Sequence, residues 1–455
     1  MSKPDWQALI RAKRAERDSR IPAEWRLDSS ITSQARRDNP ISAFDLLNQT
    51  NLLTKRERGI TEKYDATSLL AQLASGALSS FEVTMAFCKR AAIAQQLINP
   101  LTEIFFDKAL ERAKQLDVYL AREGKPKGPF HGLPISLKDM WMVKGEAATL
   151  GFVAYLPKPV AEENSPIVDI LLDGGAVLYC KTNVPQGLLY PFTVSRQRRV
   201  RIQANRKPDP LLRDYSALAV PWADVPKRKL KIGYWEGSPQ TPVFPPILRA
   251  LRKAAEALKT AGHEIVPLST PEGGGTLDCA GIYIHSLGFD TNATLMQFID
   301  DAEEEILPGM KDLKEAMTSA PKSTLEDVWQ FHGNRGDYRQ AWHTKWAETG
   351  MDVLLCPAHQ GTGMPHNAYG LPVYTMIWNL LDCPASVIPF LKASKTIDTD
   401  QVEGYDADAL DGAPAHVQVV GWTLRDEEVL MATEVIDEVL RNVPEADFPP
   451  LHSSL

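Results

Sequence analysis

A strand–helix–strand pattern that occurs twice constrains the fold of this chain more than any other feature. Its first instance is an apolar run at 133–137, a helical segment at 167–173 and a second apolar run at 176–180. Its second instance occupies 229–235, 246–259 and 263–267. Two strands joined by a crossover helix are typical of a parallel sheet. The sequence therefore predicts an α/β fold, and we expect 128–190 and 229–268 to lie in one core.

The segments around this pattern predict the domain organisation. Residues 1–53 are charged and polar, with Pro22 and Pro40 as breakers, and predict a helical arm. Residues 54–455 predict the α/β domain, interrupted near 191–215. Apolar spacing within this domain predicts further helices at 67–76, 109–120 and 426–440, and further strands at 351–356 and 417–422.

Composition and charge exclude several classes of protein. The 455 residues are 44% hydrophobic and 24% charged, with a formal net charge of −8. Nucleic-acid-binding proteins usually have a basic face, so this charge argues against that class. The five cysteines lack metal-ligand spacing, and their odd number does not suit a secreted disulfide scaffold. No signal peptide or membrane span is evident. We expect a cytoplasmic protein without a nucleic-acid partner, membrane span or metal site.

Lys138 is the candidate catalytic residue, and two interpretations of it remain open from the residues alone. A lysine at the end of a buried strand can act as a general base if burial or a neighbouring cation leaves it neutral. It can equally reach solvent at a sheet edge or pair with a distant carboxylate. Asp139 is a poor partner, because adjacent strand residues point to opposite faces.

Several segments resemble the fungal acetamidase-like branch of the amidase signature family. The stretch Gly128-Pro-Phe-His-Gly-Leu-Pro-Ile-Ser-Leu-Lys-Asp139 is followed by Lys181-Thr-Asn-Val-Pro185, and similar segments occur at 54–65, 84–94, 101–107, 229–267, 352–357, 378–384 and 412–421. The resemblance implies a mixed β-sheet core surrounded by helices. It also implies hydrolysis of the C–N bond of a small carboxamide by a Ser–Ser–Lys arrangement without a cofactor, and it makes Lys138 the base.

The chain departs from the family where the resemblance places both serines. No Gly-Gly-Ser sequence occurs, and the only serines between Lys181 and Lys229 are Ser195 and Ser216. The family's glycines let backbone N–H groups approach the developing oxyanion closely. Six basic residues instead fill 196–207. Such a run is typical of a solvated linker or of a nuclear-import patch. A lost coding segment fits best, so we expect a sheet without some of its central strands and an irregular, exposed 191–215.

Other residues do not replace the missing nucleophile from sequence alone. Cys180 ends a buried strand, where a thiol is usually inert, and Cys383 is the other cysteine considered. His131, His359 and His366 are candidate bases, but the last two lie in a Pro/Gly-rich loop and make no metal site without a third ligand.

The residues and the family resemblance together give a primary hypothesis, which the resemblance implies, and two alternatives. The primary hypothesis is an amide hydrolase with Lys138 as base, an unidentified serine as nucleophile and no identified substrate-binding residue. The alternatives are an inactive relative that binds a ligand through the remaining cleft, and a truncated product that folds poorly. We expect Lys138 to point into the largest cleft. Because nucleophile and oxyanion donors are missing together, the sequence predicts little or no amidase turnover.

Overall fold

The computed structural model describes residues 5–35, 43–188, 224–290, 294–319, 323–363 and 370–444. They divide into two compact units. Unit 1 comprises Met1–Ala204, Leu295–Ile306 and Leu451–Leu455, and unit 2 comprises Asn205–Thr294 and Leu307–Pro450. None of the helices in the described ranges is long and apolar enough to span a membrane.

Unit 1 consists of helices of 4 to 19 residues around a small sheet. Its helices are α1 (Trp6–Ser19), α2 (Ser29–Thr32), α3 (Ala43–Gln49), α4 (Lys55–Lys63), α5 (Ala66–Ser75), α6 (Ser80–Ile98), α7 (Phe106–Glu123) and α8 (Pro166–Asp173). Short 3-10 helices lie at Ala23–Trp25, Val153–Tyr155 and Gln186–Leu188. The helix α11 (Thr294–Asp301) falls almost entirely in this unit. The described part of the predicted N-terminal arm is thus helical.

The sheet of unit 1 has the strand order β1-β3-β2. Strand β1 (Leu101–Ile104) runs antiparallel to β3 (Val177–Thr182), and β2 (Pro134–Lys138) runs parallel to it. Gly175 connects α8 to β3 with φ of +92°, and a Cβ there would lie 2.8 Å from the Cα of His131. Only glycine meets both requirements without strain, so this turn depends on that residue.

Unit 2 contains a five-stranded mixed sheet with the order β5-β4-β6-β8-β7. Its strands are β4 (Lys231–Tyr234), β5 (Glu264–Pro267), β6 (Val353–Cys356), β7 (Ala385–Lys392) and β8 (Pro414–Val420). Its helices are α9 (Pro245–Thr260), α10 (Thr276–Leu287), α12 (Pro308–Ser319), α13 (Leu325–Thr349), α14 (Val373–Leu380), α15 (Ala407–Leu410) and α16 (Asp426–Leu440). Trp235, Trp342 and Trp378 pack edge-to-face in the core of this unit.

The structure confirms the predicted elements and corrects how they combine. Both strand–helix–strand instances form, with β2 parallel to β3 and β4 parallel to β5. The expectation of one core is wrong for the described residues, because β2 and β4 belong to different sheets. Strand–helix–strand spacing specifies local pairing, but it does not specify that β4 also pairs with the distant β6. The predicted irregular segment 191–215 lies outside the described residues.

Candidate active site

Lys138 is the last residue of β2 and its side chain is exposed. Within β2, Ser136 is also exposed and Leu137 is buried, so this strand is not the fully buried element that the sequence predicted. The backbone of Lys138 lies opposite Thr182 of β3 and accepts a hydrogen bond from the N–H of Trp141 at 3.1 Å. In the described part of the chain, the Lys138 ammonium has no hydrogen-bond or ion-pair partner.

Lys138, which we expected to point into the largest cleft, has an exposed side chain. A pocket of about 450 Å³ in unit 1 is lined by residues of α1, α6 and nearby loops, including Arg17, Gln95 and Asn99, but not by Lys138. A lysine acts as a base only in its neutral form, which burial favours. The exposed side chain lacks that burial, and the role of Lys138 as base stays a prediction.

Asp139, the next residue, is fully buried and forms a dense set of contacts. Its Oδ1 lies 3.1 Å from the Nζ of Lys181 and accepts a hydrogen bond from the hydroxyl of Thr102 at 3.2 Å. Its Oδ2 accepts hydrogen bonds from the backbone N–H and the hydroxyl of Thr149, at 2.8 and 2.5 Å. Its own N–H donates to the carbonyl of Thr182 at 3.0 Å. One carboxylate thus connects β1, β3 and the loop that follows β2.

Lys181 supplies the cation of this buried site. Its side chain is completely buried, and its Nζ donates to the carbonyl of Ala147 at 2.5 Å in addition to contacting Asp139. Burial lowers the pKa of Lys181 below its ordinary value of 10.5, against the opposing attraction of Asp139. The sequence correctly excluded Asp139 as a partner of Lys138, but it did not identify Lys181. The available signal was a charged residue inside an otherwise apolar strand.

Ser136 shares the exposed face of β2 with Lys138, as alternate residues of a strand do. Its hydroxyl lies near the phenol of Tyr179 and opposes, in part, the rise in the pKa of that phenol. Burial raises the pKa of Tyr179 well above its ordinary value, so this phenol stays protonated. Sequence analysis did not single out Ser136 as a catalytic candidate.

The other candidate nucleophiles and bases that the structure describes are Cys180, Cys383, His131 and His359. Burial raises the pKa of Cys180 to about 12 and that of Cys383 to about 11, so neither thiol is ionised near neutral pH. His131 is buried, and its Nδ1 accepts a hydrogen bond from the N–H of Lys127. The N–H of His359 donates to the Nε2 of His416 at 3.2 Å. Among the described residues, no cluster of His, Cys, Asp and Glu could hold a metal ion.

Three other residues considered from the sequence, Ser195, Ser216 and His366, lie outside the described ranges. The structure therefore does not bring an identified nucleophile to Lys138. It places the lysine, with its buried Asp139–Lys181 anchor, at the end of a parallel strand pair.

Comparison with known proteins identifies the family of this chain. The model of the Amidase family matches residues 82–199 and 210–430. An amidase of Gibberella moniliformis is 40% identical over 97% of this chain and 100% of its own length. An acetamidase of Emericella nidulans is 28% identical over 96% of this chain and 99% of its own. The chain belongs to the amidase signature family, whose chemistry is hydrolysis of amide C–N bonds.

The solved structures agree at the level of the fold. A fatty acid amide hydrolase superposes with a TM-score of 0.82 at 22% identity, covering 96% of this chain and 95% of that one. The mixed α/β fold, with sheets surrounded by helices, is therefore that of amidase signature enzymes.

This chain is also shorter than the Gibberella amidase with which it aligns. The family match is interrupted at 200–209, which overlaps the basic run 196–207. The alignment with the Gibberella amidase spans 534 positions against the 455 residues of this chain, so at least 79 residues of that relative have no counterpart here.

Proposed function

We propose that this chain acts on the C–N bond of a small carboxamide in the cytoplasm, with Lys138 as the base. The observation that carries the proposal is the position of Lys138 at the end of β2, in the motif that resembles the catalytic lysine segment of the family. Relatives named acetamidases support a short linear amide as substrate. No cofactor is required for this chemistry.

The proposed reaction has two stages. A serine hydroxyl oxygen attacks the carbonyl carbon while neutral Lys138 accepts its proton. The C–N bond then breaks, and the lysine returns the proton to the leaving amine. Water hydrolyses the resulting ester, which releases the carboxylic acid and restores the serine.

We further propose that turnover is low in the chain as written. Without a Gly-Gly-Ser turn, the sequence has no evident oxyanion donors, and each such donor contributes about two to three powers of ten to turnover. The exposure of Lys138 acts in the same direction, because a lysine accepts a proton from serine only in its neutral form, which burial favours.

A second candidate is a non-catalytic relative that binds an amide or another partner. The specific observation in its favour is the combination of an exposed Lys138 with the absence of any Gly-Gly-Ser sequence. This candidate retains the fold and loses the covalent route.

Treatment with a fluorophosphonate probe, followed by peptide mapping, distinguishes the two candidates. A labelled serine, with acetamide or benzamide hydrolysis that disappears in Lys138→Ala, supports the proposed hydrolase and identifies the nucleophile. No label, together with equal background rates in both proteins, refutes the hydrolase and supports the non-catalytic candidate. Lys125→Ala is the matched control, because Lys125 is also an exposed lysine of unit 1.

A further inference from the structure

We propose that Asp139, held by Lys181, is a positioning residue that fixes Lys138 on the open face of β2. The inference rests on the proposed function of Lys138. It gives a role to the buried Asp139–Lys181 ion pair, which takes no part in the proposed reaction itself.

The contacts of Asp139 converge from elements far apart in the sequence. Thr102 belongs to β1, Lys181 to β3, and Thr149 to the loop after β2. All three donate to one carboxylate that has no exposure to solvent. Such a hydrogen-bonded charge is retained in only one arrangement, since moving it would leave a buried charge and several buried donors unpaired.

This arrangement determines the direction of Lys138. Asp139 directly follows Lys138, the last residue of β2, and only Asp139 is buried, so anchoring Asp139 inward leaves Lys138 on the outside. Burial alternates accordingly, with Leu137 and Asp139 buried and Lys138 exposed between them. Two backbone hydrogen bonds, from Asp139 N–H to Thr182 and from Trp141 N–H to Lys138, fix the same short segment.

Lys181 also links this anchor to other buried charges. In the antiparallel register it lies directly opposite Glu103 of β1, which is itself buried. Side chains directly opposite each other in such a pair lie on the same face. Lys181 is therefore placed between the carboxylates of Asp139 and Glu103, which keeps its cation on the face away from Lys138.

The test compares Asp139→Asn, Lys181→Met and the double variant with Asp398→Asn. Asp398 is a matched control, because it is a buried carboxylate paired with Arg249 at 2.7 Å in unit 2. Three quantities are measured: unfolding in urea, hydrogen exchange of the amides at 137–142, and the kcat and KM for hydrolysis of p-nitrophenyl acetate. The kcat and KM are taken from the Lys138-dependent rate, which is the part of the hydrolysis rate that Lys138→Ala removes.

If Asp139 positions Lys138, Asp139→Asn lowers the Lys138-dependent kcat by at least about tenfold with little change in KM, because a small displacement of a catalytic group is costly. Hydrogen exchange at 137–142 also accelerates in Asp139→Asn. Asp398→Asn changes neither this exchange nor the Lys138-dependent kcat. The double variant, which removes both charges, recovers stability but not kcat. A purely structural pair would instead recover both together, and that result overturns the inference.

Failure of the proposed function remains distinguishable from failure of the inference. A wild-type protein without any Lys138-dependent rate refutes the proposed function, and hydrogen exchange then decides the inference alone. Faster exchange at 137–142 in Asp139→Asn, but not in Asp398→Asn, supports the anchor. Unchanged exchange overturns it.

Discussion

Replacing Lys13 by methionine should destabilise unit 1 in a pH-dependent manner. Lys13 lies on α1, and its Nζ is 2.6 Å from the Oε1 of Glu103 on β1. The Glu103 side chain is 1% exposed and that of Lys13 is 24% exposed. Burial raises the pKa of Glu103 above its ordinary value of 4.5, although Lys13 attracts the charged form. Removing Lys13 leaves this buried carboxylate without its nearest cation.

The magnitude follows from the burial of the two partners. Breaking a fully buried ion pair from one side costs about 3–5 kcal/mol. Lys13 is partly solvated, and Arg20 remains 3.9 Å from Glu103, so we expect a loss of about 2–3 kcal/mol at about pH 7.5. Because the folded pKa of Glu103 lies above 4.5, the folded state binds more protons than the unfolded state just above that pH. Stability therefore falls as pH rises through this window.

Loss of the lysine should raise the pKa of Glu103 further, and stability should therefore fall more steeply as pH rises. At about pH 4.5 the carboxyl takes up a proton, and we expect the loss to shrink to about 1 kcal/mol. Urea unfolding of the wild type and of Lys13→Met at both pH values measures this loss in the free energy of unfolding. In the Glu103→Gln background the same substitution should cost much less at either pH. A loss that is equal at both pH values, or that persists in that background, would refute the reasoning.

Three further predictions concern other parts of the molecule. Gly175→Ala should lower the free energy of unfolding by about 2–4 kcal/mol because of its φ and the contact with His131, whereas Gly59→Ala in α4, with no atom within 4 Å of the added Cβ, should raise it slightly in the same urea assay. Burial and His359 lower the pKa of His416 to about 3, so the protein should gain stability as pH rises from about 3 to about 6.5; an unchanged gain in His416→Gln would contradict this. Cys180, with its pKa of about 12, should resist iodoacetamide at about pH 8 until the protein unfolds, as peptide mapping can show.

Local periodicity was sufficient to predict most of the described strands and several of the helices. The closing helix α16 spans 426–440 as expected, and Gly76 ends α5 with a left-handed φ of 73°. The strand β7 was missed because Pro389 interrupts its apolar run, which weakens a strand prediction. In the structure, β7 is the last strand in the sheet order, a position at which proline can be accommodated.

The candidate site was predicted only in part, because its partners are set by register and not by spacing. The alternation of faces correctly separated Lys138 from Asp139. The pairing of Asp139 with Lys181 requires β2 and β3 to be parallel in one particular register, and no local pattern specifies that register. The separation of β2 and β4 into two sheets has the same origin, since long-range pairing depends on contacts that a sequence pattern does not encode.

The described residues separate the requirements of the fold from those of the chemistry. The buried charges of unit 1 are satisfied by one another: Lys181 pairs with Asp139, and Lys13 pairs with Glu103. This framework needs no serine and no glycine-rich turn, because its donors come from α1, β1, β3 and the loop after β2. Catalysis by Lys138, in contrast, needs a nucleophile, oxyanion donors and a cover that keeps the lysine neutral. The buried charges that hold this part of the fold are therefore separate from the groups that the proposed reaction requires.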